Sequence, residues 1–154
     1  MDTKNPHEPM NLLLIEDNID DIRDISDAIT NFDIPYSLNL ITNSLDALLY
    51  LTKKEKYINA ITPDLILMSW QLPNFTSHSL LEKIKSNPIL RITPILVLCD
   101  LKEESEDINA YNFYANARIA KPIDKNQLML MIKAIETFWF KVVQLPSRLN
   151  LYVY

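Results

Sequence analysis

Three runs of consecutive apolar residues, Leu12 to Ile15, Leu65 to Met68 and Ile95 to Cys99, punctuate the chain. Each is too short for a helix, is led in by Asn, Asp or Pro, and is followed by polar residues, as in a strand buried on both faces. Two weaker segments, Tyr36 to Thr42 after Pro35 and Ala117 to Ala120 before Lys121, bring the expected strands to five. Between them the apolar period lengthens to about 3.6. Ile22, Ile25, Ile29 and Phe32 form one stripe, Leu45, Leu48, Leu49 and Thr52 a second, and Leu80, Leu81 and Ile84 a third, each predicting a helix with one buried face. Ser44 or Asn43 is the expected N-cap of the second and Ser77 of the third. The longest helix is predicted from a cap at Asp124 toward Pro146, with Leu128, Met131, Ile132, Ile135, Phe138, Trp139 and Val142 along one face. A weakly anchored helix is expected at 102–114, where acids come early and Ile108 and Tyr111 are the main anchors.

Strands alternating with helices imply an α/β fold, a parallel sheet with helices on both faces. With 154 residues and no linker or repeat, the chain reads as a single domain, 1–154, with its core at about 10–145 between a short N-terminal arm and a C-terminal tail.

Composition narrows the chemistry. The chain has no glycine, where average usage of about 7% would give roughly 11. Phosphate-cradling loops of the G-x-G-x-x-G or P-loop type and the G-x-S-x-G elbow are therefore excluded, because their backbone approach depends on glycine. A net charge of −5 disfavours nucleic acid and anionic lipid as partners. Cys99 has no second cysteine to pair with, and His7 and His78 lie far apart, so no zinc spacing exists. The start, MDTKNPHEPM, lacks the basic and apolar regions of a signal peptide, and a soluble, cytoplasmic protein is expected.

Ligands of open α/β sheets bind beyond the carboxyl ends of the strands. There the expected strands deliver Glu16 and Asp17, Ser69, Cys99 with Asp100, and Lys121 with Pro122. Adjacent carboxylates opposite a lysine suit a hard, oxygen-seeking cation such as Mg²⁺ with a counter-charge beside it.

The order NLLLIEDN, PDLILMSWQLP, PILVLCD and Lys121-Pro122 resembles the receiver domain of two-component response regulators. The likeness covers nearly the whole chain. IEDNIDDIRDI, NPILRITPILVL and IKAIETFWFKVVQLP are similar to the single-domain regulators that partner bacterial phytochromes. The resemblance implies a flavodoxin-like (βα)5 fold with strand order 2-1-3-4-5, and Mg²⁺ held by Glu16, Asp17 and the backbone carbonyl of Gln71. It also locates departures. The aspartate that accepts phosphoryl is Ser69, the Thr or Ser that closes over phosphate is Cys99, and the aromatic switch residue is Arg118. Glycines expected after the third strand are Asn74 and Ser77, and one before the fifth is Tyr114. Losing the carboxylate removes one ligand and one negative charge, so Mg²⁺ binding is expected to be weak. A serine hydroxyl needs a base to attack phosphorus, and no histidine falls at a strand end. Lys121 is expected to pair with Glu16 or Asp17 instead.

The residues keep plainer readings too: Glu16 and Asp17 as a solvated strand end, Ser69 as a backbone-bonding hydroxyl, Cys99 as a buried small side chain. Phe138, Trp139 and Phe140 are consecutive, so a helix cannot bury all three against one core. Either the apolar face is wide or it is a subunit interface. The resemblance favours a homodimer through the last helix and fifth strand, with Arg118, Met129, Leu130 and the tail residues Tyr152 and Tyr154 extending the surface. Two functions remain in play: a non-enzymatic, phosphorylation-independent receiver that contacts a sensor histidine kinase or another response regulator, and a phosphoryl acceptor displaced to Asp17 or Ser69. A flavin-carrying flavodoxin-like protein is weakened by the missing glycines.

Overall fold

The computed structural model describes residues 8–100, 115–122, 124–142 and 145. The arm at 1–7, the predicted helix at 102–114 and the tail at 146–154, with Tyr152 and Tyr154, lie outside the described residues. Five parallel strands, β1 (Met10–Ile15), β2 (Tyr36–Ile41), β3 (Leu65–Ser69), β4 (Ile95–Cys99) and β5 (Ala117–Ala120), form one sheet in the order β2-β1-β3-β4-β5. The three continuous apolar runs became the three inner strands. Register pairs Ile15 with Met68 and Ser69 with Leu98, so the carboxyl ends of β1, β3 and β4 share one edge.

Alternation along the strands divides the core into two layers. Leu13, Ile15, Ile66, Met68, Ile95 and Val97 face α2 (Ser44–Leu51) and α3 (Ser77–Ser86). Leu12, Leu14, Leu65, Leu67, Leu96 and Leu98 face α1 (Ile19–Ile29) and α4 (Lys125–Ile135). Burial on both faces is why these strands carry no polar alternation.

The structure corrects three local expectations. The cap of α3 is Thr76, whose hydroxyl accepts from the Ser79 N–H. Ser77 instead turns inward and donates to the Ser69 carbonyl at 2.8 Å. In α2 the cap is Asn43, one of the two residues expected, but Ala47, Tyr50 and Leu51 form the buried face while Leu45 is exposed. Asp124 caps α4 as predicted, but beyond Ile135 the helix widens into a π-helical segment, Glu136–Val142. The wider turn breaks the α period. Phe138 and Val142 are 52% and 69% exposed, whereas Trp139 and Phe140 pack against the layer shared with α1.

Candidate functional site

At the carboxyl edge of the sheet, backbone hydrogen bonds fix each strand end. Trp70 N–H donates to the Leu98 carbonyl at 2.9 Å and Lys121 N–H to the Cys99 carbonyl at 2.8 Å. The resulting open cleft is lined by Glu16, Asp17, Asp20, Asp21, Ser69, Gln71, Asp100 and Lys121 among others. Sequence-predicted residues from four strand ends therefore meet.

Glu16 is only 1% exposed. Its Oε2 lies 2.9 Å from Lys121 Nζ, and its Oε1 accepts from the Asn18 N–H at 3.2 Å. Of the two partners expected for Lys121 in the alternative, Glu16 is the one found; a second carboxylate, Asp21, which the sequence reading did not name, also lies at 2.9 Å. Asp17 is exposed. The local reason is the start of α1: Asn18 caps it by accepting from the Asp21 N–H at 3.0 Å, which sets Asp21 in the first turn above the sheet edge. Asn followed three residues later by an acid is close to a capping-box pattern. That spacing was the available signal for Asp21.

Burial raises the Glu16 carboxyl above its ordinary value of 4.5, and the pull of Lys121 does not fully offset it. For Lys121 burial acts downward, yet the hydrogen bond to Asp21 and the charge of Glu16 outweigh it and hold the ammonium above 10.5. The lysine is thus charged, shared and fixed. In a partly desolvated setting two carboxylates facing one ammonium are worth more than an exposed pair.

Ser69, 4% exposed, donates its hydroxyl to the Gln71 carbonyl at 3.2 Å. The plain reading of a backbone-bonding hydroxyl holds. The same carbonyl was the third expected Mg²⁺ ligand. Of the expected metal ligands, then, Glu16 has both oxygens engaged, Gln71 O accepts a hydroxyl, and Asp17 faces solvent. Among the described residues no group of three or more His, Cys, Asp or Glu side chains has the spacing to hold a metal ion.

The loop after β3 is held by serines. Ser44, fully buried, lies 2.7 Å from the Pro73 carbonyl and 2.5 Å from the Phe75 carbonyl, and Ser77 reaches back to Ser69. Asn74 sits between them at φ 77°, a left-handed conformation that glycine adopts at least cost. Ser44 was read only as a candidate cap, since nothing in the sequence ties it to a loop 29 residues away.

Cys99 is buried in the sheet, and Arg118 sits half-buried on the edge strand β5. Of the three consecutive aromatics only Phe138 faces outward, beside exposed Leu130 and Met129 on the preceding helix turns. His78 lies in α3 away from the cleft lining, and His7 falls outside the described residues.

Residues 12–133 match the family model described as the response regulator receiver domain. Response regulator Rcp1 of Synechocystis sp. is 32% identical over 146 residues, covering 95% of this chain and 98% of the relative. The solved structure of the phosphorylated cyanobacterial phytochrome response regulator RcpA superposes with a TM-score of 0.86 at 34% identity, covering 91% of this chain and all of that one. The Mn²⁺-bound form of Rcp1 superposes at 0.84 with 31% identity, covering 90% of this chain and all of that one. With the sheet order, the strand-end acids and Lys121 all in register, the chain belongs to the response regulator receiver domain family.

Proposed function

We propose that this chain is a degenerate receiver of a phytochrome-linked two-component pathway that signals by protein contact, without accepting phosphoryl and without catalysing a reaction. Its partners in this reading are a sensor histidine kinase or another response regulator, and a second copy of itself, in the cytoplasm. The observation that carries it is Ser69. At the end of β3 a neutral hydroxyl, bonded to the Gln71 carbonyl, occupies the place of a carboxylate that would be ionised at pH 7. Lys121, meanwhile, is engaged by Glu16 and Asp21. The similarity to Rcp1 and RcpA supports the pathway, and the retained Glu16 and Asp17 support weak Mg²⁺ binding.

The test is incubation with acetyl phosphate and Mg²⁺ followed by intact mass. No added phosphoryl mass is expected. A gain of one phosphoryl group, lost in Asp17→Asn or Ser69→Ala, establishes the displaced-acceptor alternative, which the exposure of Asp17 favours.

The dimer rests on the last helix, where Leu130, Phe138 and Val142 are exposed apolar side chains. A closed two-fold contact is the commonest arrangement for identical chains. Sedimentation at micromolar concentration is expected to give a dimer unaffected by Mg²⁺ or acetyl phosphate, and Phe138→Ala to weaken it by about 2 kcal/mol. A monomer throughout refutes this part of the reading.

A further inference from the structure

Glu136 is a carboxylate that the phosphoryl chemistry of the fold does not use, and it is completely buried. Its Oε2 accepts from the backbone N–H groups of Asp33 at 2.6 Å and Ile34 at 3.1 Å, while Lys133 Nζ stands 2.7 Å from Oε1. The loop between α1 and β2 is thereby fastened to the residue at which α4 gives way to the π segment. Two further contacts fasten the same loop to that segment: Lys141 Nζ lies 3.0 Å from Asp33 Oδ2, and the Phe140 ring meets Phe32 edge-on at 6.0 Å. Burial alone would push the Glu136 carboxyl up, but Lys133 and the two N–H groups together hold it below its ordinary value, so it stays ionised.

The π segment decides which side chains face out. An α-helix advances about 100° per residue and a π-helix about 82°. Continued as α-helix from the buried stripe of Leu128, Ile132 and Ile135, the chain would aim Val142 within about 45° of the core and Phe140 about 115° away from it. With the π advance Phe140 comes within about 40° of the core direction, while Phe138 and Val142 swing more than about 120° from it. The exposures follow the second pattern. The π turn also lines Phe138 and Val142 up with Leu130 and Ala134, within about 50° of one another, as one outward apolar stripe.

We propose that Glu136 is a positioning residue that sets the helical register of this stripe, holding Phe138 and Val142 outward for a second copy of the chain by anchoring the π turn to the Asp33–Ile34 backbone. The role of the stripe as an interface rests on the dimer reading above; the register does not.

The test uses the full chain. Cys99 is the only cysteine and is buried, so a thiol introduced by Val142→Cys or Phe140→Cys reports exposure at its own position. With Glu136 intact, and the chain diluted until sedimentation shows only monomer, the Val142→Cys thiol is expected to react with maleimide at least tenfold faster than the Phe140→Cys thiol. Adding Glu136→Ala should invert that order. Deleting Thr137 as well should restore it, because removing one residue converts the π register to an α register with the same faces exposed. Sedimentation should follow in step: dimer dissociation raised at least tenfold by Glu136→Ala and recovered by the deletion. If Glu136→Ala does not fold, Glu136→Met, which keeps the bulk of the side chain and removes the acceptor for the two N–H groups, must shift the order in the same direction. Labelling unchanged by either substitution overturns the proposal, as does a folded deletion variant that fails to restore the order. Inverted labelling in a protein that is monomeric throughout upholds the register and refutes the dimer.

Discussion

The ammonium of Lys121 stands 2.9 Å from Glu16 Oε2 and 2.9 Å from Asp21 Oδ2, one cation held between a buried carboxylate and a half-exposed one. The cleft therefore carries its own counter-charge. A divalent cation entering it has to compete with an ammonium that is already desolvated and doubly bonded, and at the end of β3 it finds the neutral hydroxyl of Ser69. Wild-type affinity for Mg²⁺ should be about millimolar or looser, since a hard cation needs several oxygen ligands beyond its retained waters. Lys121→Met should tighten it at least tenfold, because Glu16, Asp17 and Asp21 are then left without an internal cation. Titration with Mn²⁺ followed by calorimetry checks this. An affinity unmoved by the substitution would show that Lys121 does not compete.

The competing lysine was legible in the sequence and its partner only in part. Strands such as Leu65–Ser69 announce themselves because helices cover both faces, leaving no polar position to blur the run. Their order then puts Glu16, Ser69 and Lys121 on one edge. Asp21 carries only a local signal: its spacing from Asn18 places it in the first turn of a helix, where it looks like any solvated acid, and its partner is 100 residues away. Phe138 and Val142 were misplaced for a different reason. Their spacing suits an α-helix facing the core, and only long-range contacts from Asp33 and Phe32 reveal the π turn that redirects them. Ser44 is read as a cap from its neighbours, yet its hydroxyl serves a loop from another part of the chain.

Ser44→Ala should cost about 0.5 to 1.5 kcal/mol. The capping oxygen belongs to Asn43, so the substitution leaves the start of α2 capped. What it removes is one hydroxyl donor, fully buried and shared between the carbonyls of Pro73 and Phe75; the Pro73 carbonyl keeps the Ser44 backbone N–H at 3.3 Å. Pro73 is exposed and Phe75 half-buried, so the loss is that of one net hydrogen bond rather than of two orphaned acceptors. Urea denaturation measures the loss, and a change under about 0.3 kcal/mol would mean the loop finds other donors.

A chain without glycine has to place ordinary residues in left-handed backbone. Lys53 at φ 56° and Glu55 at φ 54° are such positions, either side of Lys54 just beyond the end of α2 at Leu51. A side chain with a Cβ is disfavoured there by roughly 1 to 2 kcal/mol, while glycine gives back part of the gain through its extra freedom when unfolded. Lys53→Gly and Glu55→Gly should each stabilise the fold by about 0.5 to 1 kcal/mol. Thermal melts read the effect. Destabilisation by both would mean that the lost side chains contribute more than the backbone conformation costs.

Lys85 supplies a pH dependence of unusual sign. Its ammonium extends from α3 to donate to the carbonyls of Arg91 at 3.0 Å and Thr93 at 2.9 Å and to Asn116 Oδ1 at 3.3 Å, tying the helix to the approaches of β4 and β5. All three partners are neutral, so nothing there offsets the loss of hydration, and burial pushes the amine down to about 8. Between that value and the ordinary 10.5 the unfolded chain binds a proton that the folded chain has released. Stability contributed at this position must rise with pH across that interval, since the state binding more protons loses ground as pH increases. Lys121, held above 10.5, does not begin to act in the opposite sense until the interval ends. Lys85→Met has no proton to release. The stability of wild type minus that of Lys85→Met, measured by urea denaturation at pH 7, 8, 9 and 10, should therefore increase steadily from pH 8 upward. A difference that stays flat or falls over that range would mean that the ammonium is as well accommodated in the fold as in water.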